Sequence, residues 1–295
     1  MHSRLLRHFL AVVEKRNITA AAEALRISQP GLTRSIRQLE DHLGITLFDR
    51  LPTGVVLTRG GEILARRAKL MELEYKHAVA EISSLEQGIV GVLRIGAGPL
   101  WTSAVLPPVL SRFYRQYPGV RVRLTEGTID SILPALMGGE IDLACVTLSF
   151  PSQTEIVKEP LLSIRHTIIV RAGHPLANGQ KVTAADLVKY PWVVLANDSI
   201  GTSRIGAYFA ANGLSPPQIA VETTALGLMR LLEQDDFLAL SAVDMLDCTR
   251  HFGLVSLPHD GTFWEAEAGI VTLKTDRPKR ITESFKAILR ASLVP

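Results

Sequence analysis

The segment from Asn17 to Leu47, NITAAAEALRISQPGLTRSIRQLEDHLGITL, constrains the fold of this chain more than any other stretch. Its apolar residues recur at helical intervals in two blocks, Ala20, Ala21, Ala24 and Leu25, then Leu32, Ile36, Leu39 and Leu43. Asn17 or Thr19 can cap the first helix. For the second, Ser28 is a natural N-cap, Pro30 lies in the first turn where its missing N–H costs nothing, and Gly44 can close the end. The opposite face of that helix carries Gln29, Thr33, Arg34, Arg37 and Gln38, donors and acceptors that suit base edges and phosphates. The pair therefore reads as a helix-turn-helix with a recognition helix. A plain surface helix hairpin has the same spacing, and the local pattern leaves both readings open.

Charge favours the first. Residues 1–70 hold 12 Lys and Arg against 6 Asp and Glu, whereas the other 225 residues hold 20 against 23. A basic amino-terminal module on a near-neutral body fits a nucleic-acid binder with a second task. The length of 295 residues predicts two or three domains, and 47% hydrophobic residues are ample for packed cores. Two cysteines, Cys145 and Cys248, are too few for a disulfide framework and lack metal-ligand spacing. The amino terminus reads as an amphipathic helix with Leu5, Leu6, Phe9, Val12 and Val13 on its apolar face, not as a signal peptide. No run is long enough to span a bilayer, so a cytoplasmic protein with no membrane contact is expected.

After Gly44 the pattern alternates and breaks at Pro52-Thr53-Gly54, predicting a two-stranded wing with Arg50 and Arg59 in reach of phosphates. From Gly61 the chain turns helical. Leu64, Ala68, Met71, Tyr75, Ala78, Ile82, Leu85 and Ile89 follow at alternating steps of four and three, the repeat of a coiled-coil seam. A long helix packed on its own domain is the alternative, but a helix leaving so small a domain would expose its stripe.

Gly88 and Gly91 mark a hinge. Beyond it, strand and helix patterns alternate: strands at 92–97, 120–126 and 141–147, with helices at 102–117 and 131–137. A second set begins near 167–170 and continues through 192–195, 204–212, 219–222, 225–233 and 237–241. The chain ends in a strand at 270–273 and a helix at 282–293. Short connections between strands and helices predict a parallel, doubly wound sheet in two lobes with a cleft.

AAEALRISQPGLTRSIRQLEDHLGITLFDR resembles, almost position for position, the amino-terminal signature of the LysR-type bacterial transcriptional regulators. LTRGGEIL resembles that family's wing-to-linker junction, and LPPVLSRFYRQYPGVRVRLTEG, GGEIDLACV and GHPLA resemble phrases of its effector domain. The resemblance implies an α+β multidomain chain: a winged helix-turn-helix at 1–60, a dimerising linker helix at 61–88, and a two-lobed α/β effector domain at 92–295 shaped like type 2 periplasmic binding proteins. Lobe I would be 92–163 plus 267–295, and lobe II 164–266. It implies a regulator, active as a dimer of dimers, on imperfect palindromes in double-stranded promoter DNA. The partners would be a small-molecule effector, with carboxylates and aromatics the classes to test, and RNA polymerase. No cofactor or metal is expected.

Carried over onto this sequence, the family's contacts fall on Gln29, Pro30, Thr33 and Arg34, with Arg50 at a basic wing position, and Ser28 and Arg37 beside them complete the expected DNA-binding set. Gln29 and Arg34 have the geometry for base edges, and Arg37 suits phosphate or an ion pair with Asp41. Thr53 stands where members often carry a second wing arginine. For the effector, open α/β sheets bind ligands at strand carboxyl ends beside helix N-termini. That rule and the family point to Pro99, Leu100, Trp101, Thr102, Ser103, Thr128 and Thr147 on one side, and to Asn197, Ile200 and Thr202 on the other. Many members have a hydroxyl where this chain has Pro99, Leu100 and Trp101, so Thr102 and Ser103 are the polar candidates. Trp101 is either a stacking surface for a flat ligand or a core aromatic.

An enzyme would show a nucleophile elbow, an HExxH pair, a P-loop or an unbroken glycine fingerprint; GAGPLW breaks the last at Pro99. His166, His174, His251 and His259 are scattered and read as structural or solvated. An architectural DNA binder would not need two lobes with hydroxyl-lined strand ends.

Overall fold

The computed structural model describes residues 4–51, 54–85, 91–259, 263–275 and 279–293. The chain divides into two compact units, Met1–Gln87 and Gly88–Pro295.

In the first unit, α1 (Arg4–Lys15), α2 (Ile18–Leu25) and α3 (Gln29–Leu43) share one core of Phe9, Val12, Ala21, Ala22, Leu32, Ile36 and Leu39. Asn17, not Thr19, caps α2, its side chain accepting the Ala20 N–H at 3.1 Å. Ser28 caps α3 through the Gly31 N–H at 3.3 Å, and Gly44 ends it in the left-handed region at φ 68°. Ala24 and Leu43, expected on the apolar faces, are exposed, and Ala22 takes the inner place on α2. The wing is the antiparallel pair β1 (Phe48–Leu51) and β2 (Gly54–Leu57). Glu40 places it by accepting the Leu47 N–H at 2.7 Å, and the Val55 N–H donates to the Arg16 carbonyl at 3.1 Å.

The long helix α4 runs from Arg59 to Leu85. At about 1.5 Å per residue it is some 40 Å long. It starts two residues before the expected Gly61 because the Thr58 hydroxyl caps it, accepting the Gly61 N–H at 3.0 Å. Ala65 and Ala68 are buried in its first turns, whereas Met71, Tyr75, Val79 and Ile82 are 58%, 52%, 46% and 65% exposed. The exposed stripe on this helix is therefore a feature of the folded unit. The Leu85 side chain, and Ile89, lie outside the described residues.

The second unit opens with β3 (Gly91–Ala97), α5 (Leu106–Gln116), β4 (Val120–Glu126), α6 (Ile129–Met137) and β5 (Leu143–Thr147). Strand β3 lies parallel between β4 and β5, as the alternation predicts. Helix α5 does not start at Thr102. Pro107 and Pro108 fill its first turn and supply no N–H, and the chain enters it through a π-helical turn at Trp101–Val105.

The next strand departs most from expectation. β6 runs from Ile156 to Arg171, sixteen residues where the pattern marks only 167–170. After it come α7 (Ala184–Leu187), β7 (Trp192–Leu195), α8 (Ser199–Ala211), β8 (Ile219–Thr223), α9 (Ala225–Gln234), β9 (Ala239–Ala242), α10 (Leu246–Thr249), β10 (Leu254–Ser256), β11 (Trp264–Leu273) and α11 (Arg280–Leu293). β11 pairs antiparallel with β6 from Trp264 opposite His166 to Leu273 opposite Ile156, and its other edge pairs antiparallel with β5. β9 and β10 also pair antiparallel with β6. The sheet is thus mixed, with parallel ladders at β3, β4 and β5 and in the pair β7 and β8, and single parallel bridges at Val182–His259 and Trp192–Leu238. The polar stretch Lys158-Glu159-Pro160 hides β6 from a local reading. Pro160 sits in it opposite Gly269, at the register shift where a proline is tolerated.

One core joins Leu93, Ile95, Phe113 and Phe285, the last two edge to face at 5.4 Å. α11 is also tied down by charge. Arg290 grips Glu159 with two guanidinium nitrogens, one of them at 2.8 Å, and this bond chiefly holds the Glu159 carboxyl below its usual range. A second core, around Trp192, Phe209, Ile205 and Leu238, fills the other lobe.

Gly269 has no room for a side chain, since a Cβ there would lie 2.0 Å from the Glu159 carbonyl oxygen. Gly269→Ala is expected to cost about 1–3 kcal/mol, the scale of an overpacked site. A denaturant midpoint unchanged from the parent chain would show that the ladder opens there without strain.

Candidate functional site

The exposed face of α3 is polar. Gln29, Pro30, Arg34, Arg37 and Gln38 are exposed and Thr33 is half-buried, while Leu32, Ser35, Ile36 and Leu39 face inward. Gln29 Nε2 donates to Thr33 Oγ1 at 3.1 Å, which sets the Gln29 amide along the helix surface. Ser28 spends its oxygen on the cap, leaving its hydroxyl proton as the group it can offer. The Arg50 side chain and Thr53 lie outside the described residues, so the wing expectation rests on sequence.

In the second unit, a cavity of about 140 Å³ lies where the strand ends of both lobes meet. Pro99, Leu100, Trp101, Thr128, Thr147 and Ile200 line it, as the strand-end rule predicts. Trp101 is 2% exposed and belongs to the core, which is the core reading of it.

Four expected residues do not line it. Thr102 Oγ1 is bonded to a Glu126 carboxylate oxygen and, at 3.1 Å, to the Pro99 carbonyl. Ser103 is exposed, and its carbonyl accepts the Cys248 thiol at 3.8 Å. Thr202 is exposed on the outer side of α8, which begins at Ser199 and not at Arg204. Asn197 is exposed with φ 56°, and its contribution is a carbonyl that accepts the Thr128 hydroxyl. Asn tolerates that left-handed backbone better than most residues.

That Thr128–Asn197 bond ties the two lobes together, and a second tie lies beside it. Asp130, at the start of α6, accepts the Ser199 N–H at 2.7 Å and the Ser199 hydroxyl at 2.9 Å. Asp198 caps the same helix from within, accepting the Gly201 N–H at 3.0 Å. Burial raises the Asp198 pKa, its bond from Gly201 opposes this, and the Asp130 charge adds to the rise. The N-terminus of α8, an electropositive helix end, is thereby occupied by two carboxylates of the chain itself.

The sequence reading missed His166 and Trp264. They face each other across β6 and β11, and their rings stack with centroids 4.1 Å apart and planes 15° from parallel. Both line the cavity with Ser241, Ile164, Ile205, Leu228 and Met229. Burial is the main force on His166, lowering its pKa to about 4 against a raising backbone bond with Trp264, so the imidazole is neutral at pH 7. No local signal marks this pair, because its partners lie 98 positions apart and meet only through strand register.

Two family models match the chain. The model for the bacterial regulatory helix-turn-helix protein, lysR family, covers residues 3–62, and that for the LysR substrate binding domain covers residues 86–294. The chain is similar to the SDS degradation transcriptional activation protein of Pseudomonas sp., 35% identical over 246 residues, which are 81% of this chain and 74% of that protein. It is 32% identical to the HTH-type transcriptional regulator CysB of Haemophilus influenzae over 76% of this chain and 70% of that one. Among solved structures, CbnR complexed with its target DNA is 23% identical at a TM-score of 0.62, covering 99% of this chain and 100% of that chain. Full-length BenM is 25% identical at a TM-score of 0.55, over 99% and 96%.

The Asp130–Ser199 tie generates an expectation for lobe closure. Asp130→Ala removes both bonds to Ser199, and hydrogen exchange of the amides at Ser199–Gly201 is expected to quicken several-fold, as for loss of an exposed hydrogen bond to a charged group. Exchange at the parent rate would mean that the lobes are held by other contacts.

Proposed function

We propose a mode of action from one premise: the chain belongs to the LysR family of bacterial transcriptional regulators. It is a DNA-binding regulator with an effector-binding domain, and not an enzyme. The finer reading is ours. α3 enters the major groove with Gln29, Pro30, Thr33 and Arg34 toward base edges, Ser28 and Arg37 toward phosphate, and Arg50 of the wing on the flanking backbone. The observation that carries it is the division of α3 into a buried apolar face and an exposed face of amide and guanidinium groups.

Two chains pair along α4, whose exposed Met71, Tyr75, Ala78 and Ile82 supply an apolar seam. Pairing places two α3 helices on an imperfect palindrome, and a dimer of such dimers spans a promoter and presents itself to RNA polymerase. We place the DNA-binding domain at 1–60, the linker helix at 61–88 and the effector domain at 92–295. Its lobe I is 92–163 with 267–295, and its lobe II is 164–266. A small molecule in the cavity between the lobes biases one arrangement of the assembly over another through its different affinity for the two. Among the described residues no helix is long and apolar enough to cross a membrane, which accords with action in the cytoplasm.

Arg34→Ala is expected to weaken specific DNA binding by about 1–3 kcal/mol, the worth of one bidentate base contact, and to weaken binding to random DNA far less. Equal losses on both DNAs in a titration would make Arg34 a phosphate contact. Tyr75→Asp puts a charge into the α4 seam and is expected to yield a smaller species in sedimentation velocity. An unchanged profile would move the dimer contact elsewhere.

A further inference from the structure

The outer face of α3 is partly organised before any DNA arrives. Gln29 is the first residue of the helix, and its backbone is held on both sides, by the Ser28 cap and by Pro30, whose ring sets the backbone angle of the first turn. Its side chain is held as well: Gln29 Nε2 donates to Thr33 Oγ1, one turn on, at 3.1 Å. The side chains of Arg34, Arg37 and Gln38 on the same face make no hydrogen bond or ion pair among the described residues. Of these four long polar groups, Gln29 alone is oriented in advance by the chain.

The bond decides what the amide can still offer. A glutamine has two N–H donors and one carbonyl oxygen. One N–H is spent on Thr33, which leaves one donor and one acceptor. In the major groove adenine presents an acceptor at N7 and a donor at N6, the complement of that pair. Guanine presents two acceptors, N7 and O6, and would set the amide oxygen against one of them. Cytosine has only a donor there, and thymine an acceptor and a methyl group. An amide turned the other way, its oxygen accepting the Thr33 hydroxyl, would show two N–H groups and suit guanine instead.

Resting on the reading that α3 enters the major groove, we propose that Gln29 reads an adenine and that Thr33 is the positioning residue that makes it do so. Thr33 plays its part through Gln29. Its oxygen holds the amide with the carbonyl and the remaining N–H free, and denies it the two-donor arrangement that guanine needs. Thr33 is half-buried and β-branched, so its own side chain has few rotamers to choose from. The tether also lowers the cost of immobilising a flexible side chain at the interface. On a helix surface in water such a pair is weak, and the groove, from which water is displaced, strengthens it.

The test uses the full chain and duplexes that it selects from a pool with random half-sites. Each position of the selected half-site is changed to the other three base pairs, and binding is titrated at one fixed salt concentration, because phosphate contacts make affinity salt-dependent. The half-site is expected to hold an A·T pair at one position where Gln29→Ala lowers discrimination by about 5- to 100-fold, the worth of a bidentate base contact. Thr33→Val keeps the branching and removes the oxygen. It is expected to lower discrimination at that same position by about 2- to 10-fold, the range of one hydrogen bond, with guanine the base that gains most. Thr33→Ser keeps the oxygen and is expected to discriminate like the parent. In a Gln29→Ala background Thr33→Val is expected to change nothing further at that position. Discrimination within about twofold of the parent at the other positions reports that α3 is intact in each variant. A base pair other than A·T at the position that depends on Gln29 would overturn the proposal. So would Thr33→Val discriminating like the parent, Thr33→Ser behaving like Thr33→Val, or a loss in Thr33→Val that persists without Gln29. Gln29→Ala leaving every position as in the parent would instead sink the reading of α3 in the groove with Gln29 at the bases.

Discussion

The antiparallel ladder between β6 and β11 is the constraint on which the second unit depends. It joins the sheet of β3, β4 and β5 to the strands β9 and β10, so both lobes hang on the same two strands. Two strands paired along all of β11 and from Ile156 to His166 of β6 resist slippage, because a shift of one residue would turn every buried side chain outward. The one irregularity, at Ala268 and Gly269, is where Pro160 must be accommodated and where no Cβ fits. The same ladder brings His166 against Trp264, and both rings line the cavity.

The lobes are held together at the cavity mouth by weaker, exposed bonds, Asp130 to Ser199 and Thr128 to the Asn197 carbonyl. The strand ladder on one side makes many bonds, and the mouth on the other makes few. The bonds at the mouth are of the size that a ligand's own binding energy can outweigh. The charges of the chain also shape what can enter. Asp130 and Asp198 satisfy the start of α8, one of the helix ends at the cavity, and burial keeps His166 uncharged.

Much of the first unit was legible because its signals are local. Asn17, Ser28 and Gly44 act within a few residues of themselves, and the period of α3 states which face is buried. The cavity was half legible. Trp101, Thr128 and Thr147 follow from strand ends, which alternation locates, whereas Thr102 and Ser103 failed because the π-helical turn rotates them away. Thr202 failed because α8 begins five residues earlier than its apolar pattern suggests, under the caps of Asp198 and Asp130.

The sequence by itself determined the family, the helix-turn-helix with its polar outer face, the long helix with its apolar stripe, and the presence of two α/β lobes. These rest on short-range periodicity and capping, which a chain carries wherever it is placed. Only the tertiary structure decided that the sheet is mixed, that β6 and β11 serve both lobes, and that His166 and Trp264 share one cavity. Those facts depend on register between strands about a hundred residues apart, and strand register is set by the packing of the whole unit, not by any window of the sequence.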